Sequence, residues 1–161
     1  MKKILLMTVI CCMLLSSFTA FAAAENIIIN GENVTIPAEM GKVVEKDDRT
    51  FVPIRFVTEY LGCVVNYQEA QNSATITNPA TGTSYFLMSG DNKIYVLPSQ
   101  GSAPIVVMDT TTFINNEEGR MYVPVRFLAE ALDYTVDWEE ATQTVILNSN
   151  IDKGLTADES K

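Results

Sequence analysis

The sequence predicts an α+β fold, built as two related strand–helix–β-hairpin repeats that form one compact domain with antiparallel sheet and two short helices. Three observations carry that expectation. The block Arg49-Thr50-Phe51-Val52-Pro53-Ile54-Arg55-Phe56-Val57-Thr58-Glu59-Tyr60-Leu61 returns 71 residues later as Arg120-Met121-Tyr122-Val123-Pro124-Val125-Arg126-Phe127-Leu128-Ala129-Glu130-Ala131-Leu132. The register continues without a gap, so Val65-Asn66-Tyr67-Gln68 falls on Val136-Asp137-Trp138-Glu139. In both copies the apolar period passes from two to a helical spacing at a proline and returns to two afterwards. Repetition also weights every other residue, because groups that build a structural unit recur with it, whereas a catalytic constellation is a single asymmetric set.

Residues 1–24 read as an export signal. Lys2 and Lys3 precede an apolar run from Ile4 to Leu15, and Ala20-Phe21-Ala22 or Ala22-Ala23-Ala24 supplies a small-x-small cleavage site. The run falls short of the roughly 20 apolar residues that a stable span needs. Cys11 and Cys12 lie inside it, and Ile10 stands where a lipoprotein signal would place a small residue. The domain is then expected over 25–149, with repeat one at about 25–78, repeat two at about 83–149, and a flexible polar tail over 150–161.

Within repeat one, Asn26-Ile27-Ile28-Ile29 and Val34-Thr35-Ile36 flank the turn dipeptide Asn30-Gly31. Val43-Val44 and Thr50-Phe51-Val52 flank a polar turn at 45–48. Pro53 is expected in the first helical turn, where its missing N–H costs nothing, with Val52 held extended before it. Phe56, Tyr60 and Leu61 then share a helical face, and Gly62 suits a left-handed end. Beyond it Cys63, Val65 and Tyr67 point inward, a turn occupies 68–72, and Ala74 and Ile76 return on the inward face. In repeat two Phe127, Leu128, Ala131 and Leu132 face inward from the helix, followed by Tyr134, Val136 and Trp138, a turn at 139–143, then Val145 and Leu147. Asp133 replaces the helix-ending glycine. Between the repeats, 85–88 and 94–97 read as a hairpin matching the opening of repeat one, 98–104 as a loop and 105–108 as a strand.

Composition narrows function further. Removing Lys2 and Lys3 from 11 basic residues leaves 9 against 20 acidic ones, a net charge of −11. That surface repels nucleic-acid phosphates and anionic headgroups. Histidine is absent, which removes Ser-His-Asp and Cys-His arrangements and His-based zinc or copper sites. The exported part would keep one cysteine, Cys63, so no internal disulfide forms.

The two blocks resemble the signature of the copper amine oxidase N-terminal domain-like family, also called stalk domains, of secreted bacterial proteins. Gly119-Arg120-Met121-Tyr122-Val123-Pro124-Val125-Arg126-Phe127 and its earlier counterpart carry the first motif, Val136-Asp137-Trp138-Glu139 and Thr144-Val145-Ile146-Leu147 the later ones. Tyr67 stands at the usual tryptophan and Asp133 at the usual glycine. The resemblance implies a stalk remote from copper and from the tyrosine-derived quinone, both of which belong to a separate catalytic domain. The resemblance further implies that similar modules in secreted proteins of Gram-positive bacteria are often joined to wall hydrolases or other extracellular domains.

Each chemical candidate has a plainer structural reading. Asn66-Tyr67-Gln68 is superficially similar to the sequence around a quinone-forming tyrosine, but Gln68 replaces the acid and no histidine can hold copper. Arg55 with Glu59, and Arg126 with Glu130, are spaced to pair along a helix, worth about 0.2–0.5 kcal/mol; otherwise the arginines would receive anionic groups. Cys63 reads as a small buried hydrophobe. Asp47-Asp48, Glu117-Glu118 and Glu139-Glu140 lack the alternating spacing of a calcium loop. Trp138 and Tyr95 are the aromatics suited to stacking on sugars. Pro53, Arg55, Phe56, Glu59, Leu61 and Tyr67, with Pro124, Arg126, Phe127, Glu130, Leu132 and Trp138, are therefore expected to be structural repeat residues, with no catalytic, cofactor or metal residue.

The functional expectation is a non-catalytic, secreted, stalk-like module acting as a cell-surface interaction or spacer domain, its partner an extracellular protein or wall component. Alternatives are a wall-glycan or peptidoglycan binder, and a secreted hydrolase inhibitor presenting the 98–104 loop. Elemental analysis of the purified chain is expected to find no stoichiometric copper, and a primary amine to release no peroxide. One equivalent of tightly held copper, or amine-dependent peroxide, would overturn this.

Overall fold

The computed structural model describes residues 26–150, so the expected leader and all of the expected tail except Asn150 lie outside the described residues. The chain is α+β and mostly sheet. Three sheets carry β1 (Asn26–Ile29), β2 (Glu32–Val34), β3 (Val44–Lys46), β4 (Arg49–Pro53), β5 (Val64–Gln68), β6 (Ser73–Thr77), β7 (Ser84–Met88), β8 (Lys93–Leu97), β9 (Ile105–Val107), β10 (Phe113–Asn115), β11 (Arg120–Pro124), β12 (Tyr134–Glu139) and β13 (Thr144–Ser149). Helices α1 (Ile54–Tyr60) and α2 (Val125–Ala131) follow β4 and β11 directly. The sheet orders are β12-β13-β1-β2, β10-β11-β4-β3 and β5-β6-β7-β8-β9.

Local chemistry explains the turns. Asn30 and Gly31 both take positive φ, as do Asp47 and Asp48. Two consecutive left-handed residues are the twist-matched link for a two-residue hairpin, and Asn, Asp and Gly adopt them most cheaply. Alternation then sorts each strand. Ile27 and Ile29, Ala74 and Ile76, Tyr85 and Leu87, and Val145 and Leu147 are buried, and they join one core with Phe56, Val57, Leu128 and Leu132. Cys63 is buried at the head of β5, with Val65 and Tyr67 half-buried on the same face and Val64 and Asn66 exposed.

β4 and β11 are different, because both of their faces are covered. They pair antiparallel with Val52 opposite Val123, Pro53 opposite Tyr122 and Phe51 opposite Pro124. Val52 and Val123 enter the main core. Phe51 and Tyr122 face the other way, where Phe113 meets Phe51 edge-on at 5.1 Å and stacks on Tyr122 at 5.3 Å. Lys46 lays its ammonium over Phe113, 4.7 Å from the ring centre.

The helices have seven residues each, too few to be stable alone. Packing holds them. Ile54, Phe56 and Val57 are buried, and the buried Thr58 hydroxyl donates to the Ile54 carbonyl at 2.7 Å. α1 ends as a Schellman turn, in which Gly62 N–H donates to Glu59 O at 3.0 Å and Cys63 N–H to Thr58 O at 2.8 Å. Gly62 and Asp133 both take positive φ, and Asp133 is tied down by Asn150 through backbone and side chain, each at 3.1 Å.

The structure corrects several expectations. The sheets are not wholly antiparallel: β1 lies parallel to β13, with Ile27 beside Val145 and Ile29 beside Leu147. The β7–β8 hairpin docks antiparallel on β6, Leu87 opposite Ala74, so it differs in direction from the opening hairpin it was expected to match. Pro53 and Pro124 are not in the first helical turn. They end their strands as N-cap residues at φ −61°, ψ 121° and φ −61°, ψ 120°, where the ladder stops and a missing donor is harmless. Tyr60 is exposed rather than inward, because α1 ends there and its hydroxyl donates to Glu32 at 3.2 Å. Strand β10 was not anticipated.

Gly41 marks the tightest backbone approach. It sits at φ +105°, and a Cβ there would lie 2.8 Å from the Tyr122 hydroxyl and 2.9 Å from Pro53 Cγ. Gly41→Ala is expected to destabilise the protein by more than about 2 kcal/mol in urea unfolding. Gly31→Ala meets open space and should show only the left-handed penalty of about 1 kcal/mol.

Candidate functional site

Two clefts open beside the central β4–β11 pair. The smaller, about 210 Å³, is lined by Glu39, Met40, Pro53, Ile54, Arg55, Val65, Tyr67, Gly119, Arg120 and Met121. The larger, about 370 Å³, has Pro124, Val125, Arg126, Phe127, Val136, Trp138 and Val145 along one side. Its other side holds Glu45, Asp48, Arg49, Thr50 and Asp109, with Asp137 and Glu140 beside Trp138. Eight of the ten positions in the smaller cleft have a counterpart, 71 residues away, in the larger. Thus Pro53, Arg55, Val65 and Tyr67 answer to Pro124, Arg126, Val136 and Trp138, while Arg120 answers to Arg49. Each cleft takes its wall from one helix and the strand after it, and its rim from the start of the other central strand.

Equivalent positions carry different chemistry. Arg120 donates to the carbonyls of Glu39 and Glu118 and stands 3.8 Å from the Glu118 carboxylate. That same carboxylate accepts a 2.5 Å bond from the buried Tyr122 hydroxyl. Arg49 instead forms a forked contact with Asp109, at 2.6 Å from Nη2 and 3.1 Å from Nε to Oδ2, and donates to the Asp48 carbonyl at 2.8 Å. The guanidinium holds the Asp109 carboxyl below its ordinary range, with Arg126 adding to the field. Asp109 is therefore ionised at neutral pH, and whatever the contact contributes is lost as pH falls through the depressed pKa. Both side chains are about half exposed, which places the contact among weak, salt-screened pairs.

The paired-helix expectation holds in one copy. Arg55 Nε lies 3.7 Å from Glu59 Oε1. Arg126 and Glu130 form no such pair, which corrects that expectation. Arg126 instead lines the larger cleft, where the field of Asp109 draws on it, and it is the one arginine among the described residues with no hydrogen bond or ion pair.

The other candidates fall as follows. Phe56 and Leu132 are buried, whereas Leu61, Phe127, Tyr67 and Trp138 are half-buried at the edge of the core. Tyr67 reaches Asn72 at 3.5 Å, and the Trp138 indole N–H donates to Glu140 at 2.7 Å. Tyr95 is half-buried against Phe86, and its hydroxyl approaches Asp91 at 3.4 Å. The 98–104 loop is tied at its ends, by Val96 N–H to the Pro104 carbonyl and by Ser99 to the Thr81 carbonyl. The Thr50 hydroxyl meets Glu45 at 2.6 Å, a cross-strand contact between directly opposed residues of β3 and β4. Burial pushes the Cys63 thiol up, away from the thiolate that a nucleophile needs. Sequence reasoning missed Asp109 and Glu39, and weighed Glu118 only as half of an acidic pair rather than as a partner of Arg120 and Tyr122. The arginine partners of Asp109, Glu118 and Glu39 are 60, 2 and 81 residues away, and no local pattern links the distant two.

The family profile of the copper amine oxidase N-terminal domain matches residues 25–147. Neither a curated protein nor a solved structure matches the chain. The residues present do not suit copper. The sequence has no histidine, and the described residues bring together no group of three His, Cys, Asp or Glu side chains able to hold a metal.

Cys63 is expected to resist a thiol reagent in native buffer and to react fully on unfolding. Cys63→Ala should cost about 1 kcal/mol, because only a small group is lost from the site. Rapid native labelling, or a reducible dimer on a gel, would contradict its placement in the core.

Proposed function

Because the chain belongs to the copper amine oxidase N-terminal domain family, we propose that it is a non-catalytic, secreted, stalk-like module that acts outside the cell as an interaction or spacer domain. The observation carrying this reading is that its chemistry-bearing groups serve as structural ties. Arg49, Arg55 and Arg120 each hold a carboxylate or carbonyl, Tyr122 is bound to Glu118, and the lone described thiol is buried. Among the described residues the hydroxyl–carboxylate contacts of Thr50 with Glu45, Tyr60 with Glu32 and Tyr95 with Asp91 are pairs, with no histidine to act as a base beside them. In this reading segments 49–77 and 120–149 are two copies of one unit, related by a two-fold axis passing between Val52 and Val123. The matched lining of the two clefts supports it.

The reading is tested by localisation and turnover together. A tagged chain should accumulate outside the membrane, and amine, ester and glycoside substrates should turn over no faster than in buffer. Retention in the cytoplasm, or turnover lost in Thr50→Val or Cys63→Ala, would refute it.

A second reading, saccharide binding, is favoured by the larger cleft. Trp138 and Phe127 give it an aromatic side, and the unpaired Arg126 sits near exposed carboxylates, so donors and acceptors for hydroxyl groups alternate. Trp138 is the sole tryptophan of the sequence, so its fluorescence reports on this cleft alone. Under this reading, soluble wall oligosaccharides should shift its emission saturably, and Arg126→Ala should weaken the response by about tenfold. A flat titration would leave the spacer reading alone.

A further inference from the structure

The outer face of the five-stranded sheet is unlike the rest of the molecule. Its register aligns Asn66, Thr75, Phe86, Tyr95 and Ile105 in one row across all five strands. By register three positions on each of β5 to β8 and two on β9 share this face, fourteen in all, of which Ser73 is buried; none is Asp or Glu, in a chain with 20 acidic residues. Lys93 is the only charged residue among them. Apolar character is concentrated toward β9: Met88 is 40 % exposed, Leu97 48 %, Ile105 51 % and Val107 61 %, beside the half-buried Phe86 and Tyr95.

The adjoining edge is open as well. Among the described residues β9 ends its sheet and pairs only with β8. Val96 N–H donates to the Pro104 carbonyl and Met108 N–H to the Asn92 carbonyl, so even-numbered residues turn toward β8. By alternation Ile105 and Val107 turn their N–H and C=O groups outward. No charged residue occurs from Pro98 to Met108, so the usual guard against edge pairing is missing there.

We propose that this edge and face are a self-association surface, and that the occupant is a second copy of the chain, with β9 pairing antiparallel to the β9 of its partner about a two-fold axis at Val106. Ile105 of one copy then lies opposite Val107 of the other, and the two apolar faces merge into one sheet surface. Charge selects this occupant. Two molecules of net charge −9 bring carboxylate against carboxylate over most of their surface, whereas this face brings none. An anionic membrane is repelled by the molecule as a whole, and a basic partner gains nothing from a face without acids. The inference does not depend on whether the Trp138 cleft binds saccharide.

Sedimentation of a chain spanning 25–161 tests it, since that span holds every described element and the family match. The expected result is a concentration-dependent dimer that tightens as salt rises, because screening relieves the like net charges while apolar contact persists. Val107→Lys and Ile105→Lys should each weaken it by about tenfold or more, through burial of an ammonium. Val64→Lys, on the opposite edge of the same face, should leave it intact. If a lysine variant fails to fold, hydrogen exchange on the unaltered chain decides: the Ile105 and Val107 amides should slow as concentration rises. A monomer at the highest soluble concentration, a dimer indifferent to both β9 variants, a dimer dissociated by salt, or assembly only with an added foreign peptide would each overturn the proposal.

Discussion

Antiparallel pairing of β4 with β11 holds the two halves of this protein in one body. Val52 lies opposite Val123, and both are fully buried in the main core. On the opposite face Phe51 and Tyr122, equally buried, close over Phe113. Burying such side chains is worth about 1.5–3 kcal/mol each, so the pair concentrates much of the molecule's apolar stabilisation in two short segments. Everything else hangs from these strands. Each runs without a loop into its helix, each helix positions the strand after it, and both clefts open where one central strand begins beside the other's helix. The crossing at Gly41 has the same origin, since the Tyr122 hydroxyl and the Pro53 ring leave no room for a side chain there.

Much of this was legible in the sequence, because it rests on local rules. Asn30-Gly31, Gly62 and the alternation through Cys63, Val65, Ala74 and Ile76 follow from backbone conformation and period, which need no distant partner. What escaped was long-range. The parallel contact of β1 with β13 joins residues more than a hundred positions apart, and nothing in an isoleucine run specifies its neighbour's direction. β10 is three residues long and defined by Phe113 packing on Phe51 and Tyr122, so no period announced it. Tyr60 lies one turn beyond Phe56, but the helix stops there and leaves it exposed.

The candidate site teaches the same lesson at the level of side chains. Sequence symmetry implied that Arg55 and Arg126 would behave alike, as would Arg49 and Arg120. The structure separates them through partners outside the repeated block: Asp109 lies in the connecting stretch, and Glu39 precedes the first block. Divergence between matched positions is therefore where function can enter a scaffold of this kind. The family name carries copper, yet the sequence has no histidine, and the donors among the described residues are carboxylates, tyrosines and one thiol.

If β4 and β11 are the common support, they should open last. Native-state hydrogen exchange measures this directly, because amides in the most stable unit exchange only through global unfolding. Amides of Arg49–Val52 and Arg120–Val123 are predicted to share one opening free energy, equal to that of global unfolding by urea. Exchange of either central strand at a lower free energy than strands β7 and β8 of the five-stranded sheet would show that the halves open independently, and would contradict the account.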